Sequence, residues 1–340
     1  MFKKIGLVLL VLGGIGYGVF WWKWPVFSPK GKVREDEKVL FLEKYDFDSL
    51  RKRGGRVSEI RVEGDLEGVE LRRKEEINFE SKQFSFESEG KRITGMVNMP
   101  MTGMSNKMAA ILMIRGYADK EGYYTGSGTW RVADKLTETG YATFSIDFLG
   151  FGGSDGESLD MLGARFEKVP AVMDLIASVR ALDFVDDKRI GIWAHSNGGQ
   201  IAMSVLEILG ERIPTVLWAP MTNPFPESVL DTASDLDDGG KMVKKVIADF
   251  EKYYDVRRYA FENYYDWIES PVLINQGTAD YWCKVEWQEK VIGELKKRNN
   301  EAVLRVWSGD DHNLAKNWED VVKNDLEFFD RRLKTKPKIL

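Results

Sequence analysis

Ile190-Gly-Ile-Trp-Ala-His-Ser-Asn-Gly-Gly199 leads from a short apolar run through Ala194-x-Ser196-x-Gly198 into the helical pattern Gln200-Ile-Ala-Met-Ser-Val-Leu206. A strand that turns this abruptly into a helix thrusts the serine hydroxyl out of the sheet. The turn presses the residues two before and two after the serine together, so both must be small. Ala194 and Gly198 meet that need, with alanine where the motif usually has glycine. The turn also aims the first N–H groups of the helix at the same point, which makes Asn197 N–H a candidate donor to a developing oxyanion.

Such a turn needs a sheet to project from, and the flanking sequence supplies one. Met108-Ala-Ala-Ile-Leu-Met-Ile114 is a continuous apolar run, as expected for a strand buried on both faces. Tyr141–Ile146, Ile190–Trp193, Thr215–Trp218, Val272–Ile274 and Ala302–Trp307 repeat that character. Helical stripes alternate with them: Val172, Leu175, Ile176 and Val179; then Val291, Ile292 and Leu295; then Trp318, Val321, Val322 and Leu326. Alternation of this kind predicts an α/β fold, a mostly parallel central sheet with helices on both faces. Its chemistry then lies at the carboxyl ends of the strands. Upstream, Phe84, Phe86, the turn Ser88-Glu-Gly90, Ile93 and Val97 predict a hairpin.

A serine hydroxyl is a poor nucleophile without a base. The chain has two histidines. His195 adjoins Ser196 on the turn, where neighbours point in different directions, so His312 in Ser308-Gly-Asp-Asp-His-Asn313 is the candidate base. The imidazole in turn needs a carboxylate to fix its tautomer. Asp280, in Gly277-Thr-Ala-Asp280, follows a strand directly, whereas Asp310 and Asp311 read as solvated loop charge. The chain order Ser196, Asp280, His312 is that of one particular fold.

With these residues in place, the sequence resembles the α/β-hydrolase superfamily, and within it the prolyl-oligopeptidase-type peptidases and related esterases. Asp147-Phe-Leu-Gly150-Phe-Gly152-Gly-Ser154 resembles the D-x-x-G-x-G-x-S loop, Gly277-Thr-Ala-Asp280 the acid loop, and Gly309-Asp-Asp-His-Asn313 the segment with the base. The resemblance covers about residues 80–335 and implies that the loop Arg115-Gly116-Tyr117 gives a second oxyanion donor, through Tyr117 N–H or its hydroxyl. The family often has His-Gly where this chain has Arg115-Gly116. Roughly 75 preceding residues are too few for the β-propeller of that branch's exopeptidases, which favours esters over peptides.

The domains expected are an anchor at 1–24, a tether and small β-containing prelude at 25–76, and a catalytic domain at 77–335 with a helical lid at about 221–270. The lid aromatics, among them Phe250, Tyr254, Phe261 and Tyr264, form either a substrate pocket or the lid's own core. Tyr281 and Trp282 are candidate pocket residues beside the acid, and Cys283 lacks a basic neighbour to activate it. The uncharged run Ile5–Trp22 would span roughly 27 Å as a helix, close to a bilayer core. It lies between Lys3-Lys4 and Lys23, with Trp21, Trp22 and Trp24 at one end, and predicts a single-pass anchor with an exported catalytic domain. A cleaved signal, giving a secreted protein, is the alternative.

A net charge of −5 argues against a nucleic-acid protein, and one cysteine excludes an internal disulfide or multi-cysteine metal site. No phosphate-binding or dinucleotide fingerprint is present, and the two histidines lack paired metal-ligand spacing, so no cofactor or metal is expected. The expected function is a serine hydrolase acting on small ester or peptide substrates through an acyl-Ser196 intermediate, with carboxylic esters ahead of peptides. An acyltransferase and a non-catalytic binding module are the rival readings.

Overall fold

The computed structural model describes residues 41–64, 66, 73, 77–101, 107–233, 238–297 and 301–334. The expected anchor at 1–24 and the first part of the tether lie outside these residues. Among the described residues no helix is long and apolar enough to cross a membrane.

Nine strands form one sheet among the described residues: β1 (Arg61–Glu63), β2 (Phe79–Ser88), β3 (Lys91–Pro100), β4 (Met108–Ile114), β5 (Ala142–Ile146), β6 (Val185–His195), β7 (Thr215–Trp218), β8 (Val272–Gly277) and β9 (Val303–Trp307). Their order is β1-β2-β3-β5-β4-β6-β7-β8-β9. The first three strands and the β3–β5 pairing are antiparallel, and every pairing from β5 to β9 is parallel. The expected hairpin is β2–β3, closed at Ser88↔Lys91 by Glu89 and Gly90, both at positive φ as a tight turn of the primed type requires.

The apolar run of β4 shows why the parallel strands read as continuous hydrophobics. Ala110, Leu112 and Ile114 join one buried cluster, and Ala109, Ile111 and Met113 join another. Successive side chains point to opposite faces, and both faces are covered. Helices α1 (Phe47–Arg53), α4 (Lys168–Arg180), α5 (Asn197–Leu209) and α8 (Val285–Lys296) contribute to the first cluster. Helices α2 (Trp130–Glu138) and α9 (Trp318–Leu333) contribute to the second. Helix α3 (Met161–Phe166) precedes α4, and α6 (Glu227–Ala233) and α7 (Lys241–Glu251) follow β7.

The boundaries differ from the sequence reading in two places. Among the described residues of the prelude at 25–76, the one strand is the three-residue β1, and it follows α1, whose Phe47 and Leu50 enter the main core. Asp46 caps α1 by accepting from Ser49 N, and Arg53 grips Asp174 of α4 through both Nη atoms at 2.8 and 2.6 Å. The expected lid also divides. Leu42–Ser228 and Asp255–Leu340 form one compact unit, while Val229–Tyr254 belongs to another. Within the second, Phe250 and Tyr254 stack at 4.7 Å. Tyr259 and Phe261, by contrast, are buried in the main unit.

Candidate active site

β4 and β6 are parallel neighbours with Ile114 opposite Ala194. Two residues beyond that pair, at the strands' carboxyl ends, stand Gly116 and Ser196. Ser196 has φ 55° and ψ −123°, a backbone state that a non-glycine residue holds only when its surroundings impose it. Three contacts do so. Ser196 N donates to Trp218 O at 2.9 Å, Met221 N donates to Ser196 O at 2.9 Å, and Gly199 N closes back on Ser196 O at 2.9 Å.

The glycines around it are required by space. A Cβ on Gly198 would lie 2.4 Å from Ile114 O and 2.5 Å from Arg115 O, and one on Gly199 would lie 2.4 Å from Pro220 Cβ. A Cβ on Gly116 would lie 2.8 Å from Ser196 Cβ. The serine thus sits directly against the Arg115-Gly116-Tyr117 loop, with Asn197 opening α5 beside it, where first-turn N–H groups have no partner within the helix. The sequence leaves Tyr117 with two ways to donate. Its hydroxyl donates to Asp119 Oδ1 at 3.0 Å and its side chain is exposed, away from the hydroxyl route to an oxyanion.

Arg115, where the family often has histidine, is buried and ties this loop down. Its Nη1 donates to Gly116 O at 2.9 Å and its Nη2 to Asp147 O at 2.7 Å, while Phe151 packs against the guanidinium at 4.1 Å. Asp147 is itself buried and accepts from Thr94, Thr125 and Tyr123. Burial raises its carboxyl above the ordinary value, and those hydrogen bonds oppose the rise without cancelling it.

Asp280 and His312 meet across the loops after β8 and β9. His312 Nδ1 lies 2.9 Å from Asp280 Oδ2. The other Asp280 oxygen accepts from Trp282 N at 2.8 Å and Cys283 N at 3.0 Å, and Gln276 Nε2 adds a bond to Oδ2 at 2.9 Å. Burial alone would raise this carboxyl, but the bonds from His312 and the Cys283 N–H outweigh it and hold it below the ordinary range. Asp280 is therefore ionised at neutral pH. The Nδ1 proton of a neutral His312 points at it, leaving the Nε2 lone pair to act as base.

The two loops are stitched together. Thr278 N donates to Trp307 O at 3.0 Å and Ala279 N to Asp310 O at 2.8 Å, and a Cβ on Gly277 would sit 2.3 Å from Asp310 O. Asp310 departs from the reading as solvated charge: it is fully buried and accepts from Lys316 N, Asn317 N and Asn317 Nδ2. Asp311 is exposed.

Among the described residues, no hydrogen bond joins the Ser196 hydroxyl to His312. Such bonds in free enzymes tighten when substrate arrives. His195 faces the base rather than the hydroxyl: its ring centroid is 4.8 Å from that of His312, and its Nε2 is 3.0 Å from His312 O.

Tyr281 and Trp282 are placed beside Asp280 but exposed, packed edge to face at 5.1 Å. The aromatic pocket next to the nucleophile lies elsewhere, on Asn197, Tyr259, Phe261 and residues of α1 and α3. Cys283 is buried, and burial with the Asp280 charge pushes its thiol far up, away from nucleophilic use. Asp280, Cys283 and His312 bring possible metal-ligand atoms within 4.8 Å of one another. A metal there would need a thiolate and a bare Nδ1, both of which this arrangement opposes.

Sequence reasoning missed Gln276, the bond from Arg115 to Asp147 O and the histidine-to-histidine contact. A polar pair, Asn275-Gln276, interrupting an otherwise apolar strand was the available signal for the first. Arg115 and His195 act on partners far along the chain, which no local pattern shows.

A serine on a strained elbow and a buried aspartate paired with a histidine on a mostly parallel sheet define a serine hydrolase of the α/β-hydrolase fold. Residues 128–336 match the prolyl oligopeptidase family, and the chain belongs to it. Solved structures with the same fold include Est1E from Butyrivibrio proteoclasticus with bound ferulic acid, at 20% identity over 74% of this chain and 99% of that one, TM-score 0.56. Acetyl xylan esterase 1 from Thermoanaerobacterium sp. JW/SL YS485 is 15% identical over 88% of this chain and 93% of that one, TM-score 0.60. An acylaminoacyl peptidase from Pyrococcus horikoshii is 18% identical over 82% of this chain and 45% of that one, TM-score 0.60. Two Escherichia coli proteins, each described as an "Uncharacterized 31.7 kDa protein in traX-finO intergenic region", are 36% identical over 67 residues, 20% of this chain. The chain matches 23% of the length of these curated relatives.

Proposed function

We propose that this chain hydrolyses carboxylic esters through an acyl-Ser196 intermediate. The observation that carries the reading is the 2.9 Å contact between His312 and the ionised Asp280 on the same sheet edge as the Ser196 elbow. His312 Nε2 takes the hydroxyl proton as Ser196 Oγ attacks the carbonyl carbon. The N–H groups of Asn197 and Tyr117 hold the oxyanion, and His312 returns the proton to the departing alkoxide. Water activated by the same imidazole then releases the acid. General-base assistance contributes roughly 10²–10⁴-fold, and each oxyanion donor about 10²–10³-fold.

Ester substrates are favoured by coverage. The two esterases align over 99% and 93% of their own chains, and the acylaminoacyl peptidase over 45% of its chain. Family membership supports peptides as the second reading. Turnover of 4-nitrophenyl acetate far above that of aminoacyl 4-nitroanilides supports the ester reading, and the reverse order establishes the peptidase. A fluorophosphonate probe should label the wild type and spare Ser196→Ala; equal labelling removes the serine from the mechanism.

Residues 1–24 support a further reading, a membrane-anchored protein with its catalytic domain outside the cytoplasm. Retention in the membrane fraction after a carbonate wash tests it, and release of intact chain by that wash rejects it.

A further inference from the structure

The wall beside Ser196 carries a charge that hydrolysis of a neutral ester does not use. A pocket that is partly open to solvent begins at Asn197, the residue after the nucleophile. Its lining is largely aromatic, with Phe47, Phe166, Phe225, Tyr259 and Phe261, and its one charged residue among those described is Arg165 of α3.

Arg165 Nη2 donates to Gln200 Oε1 and, at 3.1 Å, to Ser228 Oγ, which fixes the plane of the guanidinium. Nε and Nη1 donate to no described residue, and no described carboxylate pairs with this side chain. Behind the pocket lining, Lys168 at the start of α4 adds a second cation that feels the Arg165 charge, with no ion pair among the described residues. Lys168 Nζ lies 6.0 Å from the centre of the Phe148 ring, and the Arg115 guanidinium lies 5.5 Å from that same ring. Glu157 and Glu167, the acids whose charges oppose this cluster, are held by Lys120 at 2.5 Å and Lys91 at 3.4 Å. Burial pushes Lys168 down to about 8, with Arg115 and Arg165 adding to the effect, and burial pushes Arg165 down to about 10. A desolvated cation without a counter-charge is costly. A guanidinium N–H without a partner forms a charge-assisted hydrogen bond to a carboxylate.

We propose that this pocket receives an aromatic or short apolar group bearing a carboxylate, with the carboxylate accepting from an Arg165 N–H that no described residue occupies. The proposal rests on the serine-hydrolase reading for its place in turnover, since a carbonyl seated on the Asn197 N–H presents one of its substituents to the pocket.

Two ester pairs test it and show which half of the substrate carries the anion. In the first the acyl half differs: 4-nitrophenyl hydrogen glutarate against 4-nitrophenyl pentanoate. In the second the alcohol half differs: 4-acetoxybenzoate against 4-methylphenyl acetate. The wild type should prefer the anionic member of one pair by at least about tenfold in kcat/KM. Arg165→Met should shrink that ratio by roughly 10–100-fold, and Arg165→Lys should keep part of it. The ratio is read within each variant, so a general loss of folding or activity cancels. No preference for either anion in the wild type, or an unchanged ratio in Arg165→Met, overturns the proposal.

Calorimetry on full-length Ser196→Ala separates this from the reaction itself. 4-Phenylbutanoate should bind more tightly than 4-phenylbutan-1-ol, and adding Arg165→Met should erase the difference. If Ser196→Ala hydrolyses esters as fast as wild type, the hydrolase reading fails while this binding result stands. If instead the acid and the alcohol bind Ser196→Ala equally, the anion subsite fails and the nucleophile is untouched.

Discussion

His195 Nε2 lies 3.0 Å from the main-chain oxygen of His312. A carbonyl oxygen only accepts, so His195 carries its proton on Nε2 and pins the loop of the base from the strand side. Asp280, in the loop after β8, holds the same residue through Nδ1, so partners from two parts of the chain fix the position of one imidazole. Burial, and then the neighbouring His312, pushes His195 down to about 4.

A pH dependence follows. Between about pH 6.5 and about pH 4 the unfolded chain binds a proton at His195 that the folded chain refuses. Stability therefore falls as pH drops through that window and levels off below it. His195→Gln keeps a donor at the same place without the titration. Urea midpoints taken across the window should fall less steeply in this variant than in wild type, and equal slopes would remove His195 from the linkage.

Asp280→Asn replaces the acceptor for the Nδ1 proton with a group that favours the other tautomer of His312. We expect kcat on 4-nitrophenyl acetate to fall by roughly 10³–10⁴ with the fold intact by circular dichroism. A loss of less than tenfold would mean that another carboxylate orients the imidazole.

The central strands were legible because they are buried on both faces and so read as unbroken apolar runs, Met108–Ile114 most clearly. The order Ser196, Asp280, His312 was legible because each residue follows a strand, and strand ends in such a sheet converge. The remainder depends on partners remote in sequence. Arg115 acts on Asp147 O, 32 residues on, and Asp310 is buried because the chain folds back to present the N–H groups of Lys316 and Asn317. Short helices escaped for a different reason. α3 has six residues and α1 has seven, too few for a repeating apolar stripe to declare itself.

Gly198→Ala tests whether the elbow is a steric requirement. The added Cβ would press on the carbonyl oxygens of Ile114 and Arg115, both main-chain atoms with little room to give. Destabilisation of about 1–3 kcal/mol and loss of fluorophosphonate labelling are expected. Gly156→Ala, where nothing lies within 4 Å of the added carbon, is the control and should match wild type in both. Full labelling of Gly198→Ala would show that the turn relaxes without moving the nucleophile.

The segment before β1 makes the last prediction. Leu50 of α1 is 1% exposed and packs in the same cluster as the β4 residues Ala110, Leu112 and Ile114. If α1 is part of the catalytic core, Leu50→Ala should cost about 2–5 kcal/mol and lower the single unfolding transition of the whole unit. A separate prelude would behave differently: the main transition would stay in place and only an early, minor one would move. Differential scanning calorimetry distinguishes the two. The buried Arg53–Asp174 pair sharpens the choice, because Asp174→Asn leaves the guanidinium with half its partner and should also lower the main transition. An unchanged main transition in both variants would return α1 to the status of an appendage.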